Sequence, residues 1–83
     1  MGTSIHEVRV WRALTAEWRT VLELAAAADV SRRTASLHCG HLTDIGLAER
    51  AEIFPGHRFR RAAIIQNLDY ERQLEAAGRA VGL

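Results

Sequence analysis

Lysine is absent from this chain, cysteine occurs once, and no apolar run approaches the roughly 18–20 residues needed to cross a bilayer. Each shortage removes a class of function. A lone Cys39 cannot close an internal disulfide, and one thiolate is a poor start for a metal site. No apolar segment resembles a secretory signal, so a cytoplasmic location is expected. A Gly-rich phosphate loop, paired carboxylates and a Ser-His-Asp set are all missing, and a chain of 83 residues leaves no room for a sizeable pocket. An enzyme is therefore not expected, and neither is a cofactor. A chain this short forms one domain, burying roughly 60–65% of its unfolded surface, which leaves it marginally stable unless well packed or oligomeric.

What is present is arginine. Eleven arginines stand against ten acids, a net charge of +1 that does not by itself announce a nucleic-acid binder. Their distribution says more: residues 1–29 carry −1, residues 30–61 carry +3 and residues 62–83 carry −1, with three of the four histidines in the middle segment. Arginine without lysine, together with abundant alanine, fits a GC-rich bacterial or phage source.

Ser4 is a candidate N-cap, with Glu7 as its capping-box partner, and Val8, Trp11 and Leu14 supply the apolar stripe of a first helix. Thr20 and Glu23 form a second capping box ahead of Val21, Leu24, Ala25 and Ala28. Asp29 tolerates a left-handed conformation, Val30 plugs the turn, and Ser31 caps a third helix running to about Ile45, with Gly46 as its left-handed stop. On that helix Ala35, His38, Cys39, Leu42 and Ile45 make the buried stripe. Arg32, Arg33, Ser36, Leu37, Gly40, His41 and Thr43 lie opposite. From Leu47 the helical period is lost. A strand to Ile53, a turn around Pro55-Gly56 with Phe54 biased extended, and a return strand from Arg58 to Arg61 with Phe59 inward describe a hairpin. Asn67 then caps a last helix from Leu68 to about Ala80, whose stripe is Tyr70, Leu74, Ala77 and Val81.

The order of Glu23-Leu24-Ala25, Val30-Ser31, Arg32-Arg33-Thr34, Leu42 and Gly46-Leu47, with Leu14, Trp18 and the Phe54–Phe59 hairpin around them, resembles the winged helix-turn-helix of bacterial and phage transcriptional regulators over roughly residues 5–62. The expected fold is mainly α with a small β-hairpin: a three-helix core, a helix-turn-helix over 20–46, a wing over 47–61 and a C-terminal helix over 67–81. The resemblance also implies a brief strand within residues 15–19 that joins the wing, anchored by a buried Trp18.

It further implies sequence-specific binding of double-stranded DNA. The first turn of the third helix would enter the major groove and the wing would hold the flanking backbone. Arginine reaches guanine in two-point fashion, and Ser or Thr reaches a base edge or a phosphate. The expected contacts are Ser31, Arg32, Arg33, Thr34, Ser36, Leu37 and His41 on the helix, and His57, Arg58, Arg60 and Arg61 on the wing. Alternate arginines on a strand serve equally well as edge protection against aggregation. The group His38-Cys39-x-His41 raises a metal question, but His41 lies about 160° around the helix from the buried Cys39 and only one thiolate is available, so no metal is expected. A homodimer through Tyr70, Leu74, Ala77 and Val81 would space two reading helices; the same stripe could instead brace the first helix. The rival reading is a protein-interaction module, such as a phage-encoded inhibitor of a host factor. Leu37 and Gly40 favour it, because an apolar side chain beside a gap suits a protein surface.

Overall fold

The computed structural model describes residues 4–53 and 56–83. Its elements are α1 (Ile5–Ala13), β1 (Arg19–Thr20), α2 (Val21–Ala28), α3 (Arg32–Asp44), β2 (Ala48–Ile53), β3 (Gly56–Arg61) and α4 (Leu68–Ala80). Among the described residues this makes a small domain of four helices with one three-stranded antiparallel sheet, in the order β1-β3-β2.

Local chemistry explains the helix ends. The Thr20 hydroxyl accepts from the Glu23 amide while the Glu23 carboxylate accepts from the Thr20 amide, so two otherwise orphaned donors at the start of α2 are satisfied. Asp29 ends α2 with φ 56° and ψ 49°, the left-handed geometry aspartate reaches at modest cost, and Val30 N–H closes the turn by donating to Ala25 O at 3.1 Å. At the far end of α3, Gly46 at φ +83° lets its own amide donate to Thr43 O and the Leu47 amide to Leu42 O, a Schellman closure that turns the chain directly into β2. Asn67 caps α4 through a bond from the Tyr70 amide.

The start of α1 differs from the expectation. Ser4 stands at the N-cap position but its side chain caps nothing, and Glu7 is turned into the protein, 4% exposed, rather than back along the helix. β1 also begins later than expected, at Arg19, pairing Arg19 with Phe59 and Thr20 with Arg58. Trp18 is half-buried, not a core anchor. In the hairpin, Ala48 faces Arg61 and Ile53 faces Gly56, which fixes the register. Gly56, expected at the turn's centre, is therefore the first residue of β3; Phe54 and Pro55 lie outside the described residues.

The core joins every layer: Val8, Val10, Trp11 and Leu14 from α1, Leu24 and Ala28 from α2, Cys39 and Leu42 from α3, then Leu47, Ala48, Phe59 and Leu74. Helix α4 lies on α1. A Cβ at Gly78 would come within 3.3 Å of Val8 Cγ1, so the glycine permits the close approach of the two helices. Among the described residues no helix is long and apolar enough to cross a membrane.

Candidate nucleic-acid interface

Helix α3 begins with its N-terminus capped and its first turn open to solvent. The Ser31 hydroxyl oxygen accepts from the Thr34 amide at 3.1 Å and the Ser31 O–H donates to Thr34 Oγ1 at 2.9 Å. Ser31, Arg32, Arg33, Ser36 and Leu37 are exposed and Thr34 is half-buried. No acid lies in this first turn, and among the described residues neither arginine is in an ion pair. Cations at a helix N-terminus oppose the macrodipole, so this pair gains nothing from its own helix. The five residues Arg32, Arg33, Thr34, Ser36 and Leu37 line an open hollow of about 780 Å³.

A second cleft of about 430 Å³ runs between α3 and the hairpin. Arg32 and Ser36 form one wall, Ile53, Gly56, His57 and Arg58 the other, and Thr20, Val21 and Leu22 the end. The fold thus brings two expected helix contacts and two expected hairpin contacts, His57 and Arg58, to one face. Three apolar side chains border it: Leu22 is 66% exposed, Leu37 68% and Ile53 39%.

The other two arginines of β3 point elsewhere. Arg60 lies 4.3 Å above the Trp18 ring and donates to Glu49 Oε1 at 3.1 Å. Arg61 lies 4.1 Å above Trp11 and donates to the Trp11 carbonyl at 2.8 Å. Both are half-buried, and both leave a buried Nε without a partner. Burial lowers the pKa of Arg61 from its ordinary value. Glu49, held below the usual carboxylate range by the Ala63 amide and then by Arg60, completes the clasp between hairpin and following loop. These two cations are committed to tryptophan faces inside the fold, a cation–π use that alternation along a strand does not disclose.

His41 is also engaged. Its Nδ1 lies 2.5 Å from Glu7 Oε1, and the Tyr70 hydroxyl donates to Glu7 Oε2 at 2.6 Å. The His41 and Tyr70 rings meet edge-on at 5.9 Å. One buried carboxylate therefore ties α1, α3 and α4 together, while the His41 side chain stays 47% exposed beside the α3 face. Burial first, then the bond to Glu7, pushes the Tyr70 phenol up to about 12. The cluster has a sequence signal that the capping-box reading of Glu7 conceals: Glu7, Trp11 and Leu14 share the spacing of one helix face, and Tyr70 is in phase with Leu74.

The buried stripe of α3 is as expected at Ala35, Cys39 and Leu42, each fully buried, with His38 and Ile45 half-buried. Burial raises the Cys39 thiol to about 11, outside the range of a reactive thiolate. Burial also holds His38 below its usual range, Glu7 opposing and the neighbouring His6 and His41 adding to the shift. Among the described residues no group of three or more His, Cys, Asp and Glu side chains is placed to hold a metal ion.

On α4, Leu74 is fully buried and Tyr70 and Ala77 pack on the core of the same chain, while Val81 is 57% exposed. No protein-family model matches this chain, and a search of curated proteins finds no relative.

Proposed function

We propose that the domain is a winged helix-turn-helix that binds double-stranded DNA sequence-specifically, as a small transcriptional regulator or phage architectural protein. Helices α2 and α3 are the helix-turn-helix, and the β2–β3 hairpin is the wing. One observation carries the reading: Arg32 and Arg33, in no ion pair among the described residues, stand at a capped, acid-free helix N-terminus, beside a cleft whose far wall carries His57 and Arg58. Backbone amides at that end and the two guanidinium groups suit phosphate and guanine, and Arg58 across the cleft would meet the adjacent backbone.

A protein-interaction module is the second reading, favoured by the exposure of Leu22 and Leu37. Fluorescence anisotropy of the full chain with mixed duplex DNA at two salt concentrations separates them. DNA binding predicts affinity that falls steeply with salt, and Arg33→Ala should weaken a specific site by about 1–3 kcal/mol. Salt-independent or undetectable binding, equal in parent and variant, would leave the protein-partner reading.

A further inference from the structure

Leu37 stands at the centre of the exposed face of α3, one turn beyond Arg33, and is 68% exposed. Nothing lies within 4 Å of a Cβ placed on Gly40, three residues further on, so the surface beyond Leu37 is open and a partner can come close to the backbone there. Arg32, Arg33 and Ser36 surround Leu37 in the same hollow. Leu37 thus stands among two cations and two hydroxyls on one helix surface, while the other exposed apolar side chains of this face, Leu22 and Ile53, line the neighbouring cleft. The positive rim selects a polyanion. Within duplex DNA the exposed apolar group on a major-groove base edge is the pyrimidine 5-methyl, displayed by thymine and absent from uracil and unmodified cytosine.

We infer that Leu37 is a specificity-determining residue that reads a pyrimidine 5-methyl group, with Arg33 and Ser36 engaging the neighbouring base edges or phosphates. The inference rests on the DNA-binding reading above. It turns an apolar residue at the middle of the reading helix into a discriminator between thymine and the other bases, and it makes 5-methylcytosine a partial substitute for thymine at that position. Burying one methyl group corresponds to about a fourfold change in affinity.

The test begins with selection of a duplex from a random-sequence pool by the full chain. That duplex is then resynthesised with uracil replacing each thymine in turn, and with 5-methylcytosine replacing the thymine whose loss matters most. The parent protein should lose about fourfold at one or two thymines and recover part of that loss with 5-methylcytosine paired to guanine. Leu37→Ala, which truncates an exposed side chain and whose folding circular dichroism checks, should bind the thymine and uracil duplexes equally. Tight binding of the selected duplex with no uracil effect at any position would overturn the methyl-reading inference and leave DNA binding standing. A uracil effect of the same size in Leu37→Ala would assign methyl reading to another residue and also overturn it. Failure to retain any duplex at low salt would instead remove the DNA-binding reading, and this inference with it.

Discussion

Glu7→Ala tests the tertiary architecture most directly, because one carboxylate there joins three helices. The substitution deletes two charge-assisted contacts, to His41 Nδ1 and to the Tyr70 hydroxyl, from a side chain only 4% exposed. Hydrogen bonds to charged groups contribute about 1.5–3 kcal/mol each, and an abandoned partner adds a penalty when it stays buried. The His41 side chain is 47% exposed and regains water, so its share belongs at or below the bottom of that range. Tyr70, partly buried against the core, loses its hydroxyl's acceptor at Glu7 and has the larger share. Together these give about 2–4 kcal/mol, a large part of the 5–15 kcal/mol typical of a folded domain. At about 4–8 °C per kcal/mol for a domain of this size, Tm should fall by about 8–32 °C. Urea unfolding of Glu7→Ala, Tyr70→Phe and the double variant then isolates the pair, with a coupling energy of about 0.5–3 kcal/mol expected. The same carboxylate contributes to keeping the chain's sole tyrosine un-ionised, so the tyrosinate titration should move from about 12 in the parent back toward the usual 10 in Glu7→Ala. Because the folded value is raised, the stabilisation from neutral Tyr70 is complete below about pH 10 and is lost as pH climbs toward 12. A Glu7→Ala protein within about 0.5 kcal/mol of the parent, with an unmoved tyrosine titration, would refute the cluster as a structural tie.

Leu42→Ala, at the fully buried centre where α3 meets the core, should cost about 2–5 kcal/mol in urea unfolding; an unchanged midpoint would mean the phase of α3, and hence its exposed face, is wrong. Arg61→Ala should lower stability by about 1–2 kcal/mol, through the loss of the Trp11 stack and carbonyl bond, while leaving the salt dependence of the proposed DNA binding unaltered; a reduced salt slope would show a phosphate contact instead. Cys39 should resist a thiol-alkylating reagent at neutral pH in the native protein and react on unfolding, since burial holds its pKa near 11; rapid native labelling would contradict its place in the core.

Much of this architecture was legible in the chain because it depends on short-range chemistry. Thr20 with Glu23, Ser31 with Thr34 and Asn67 with Tyr70 are caps that reach only three residues, and Asp29 and Gly46 end their helices through their own backbone freedom. The stripe of Ala35, Cys39 and Leu42 follows from helical period alone, and with it the exposed placing of Arg32, Arg33, Ser36 and Leu37. Period cannot say what a long polar side chain meets across the fold. Whether Glu7 turns back to Ser4 or inward depends on His41 and Tyr70, 34 and 63 residues away in the chain. Arg58, Arg60 and Arg61 are alike as letters on a strand. Only the three-dimensional placing of Trp11 and Trp18 commits two of them to aromatic faces and leaves Arg58 beside the α3 cleft. The period of α4 likewise did not say what its stripe meets, and the close approach of Gly78 to Val8 shows that α4 lies on α1: an amphipathic period specifies that a face is buried, while the shape of the opposing surface specifies against what.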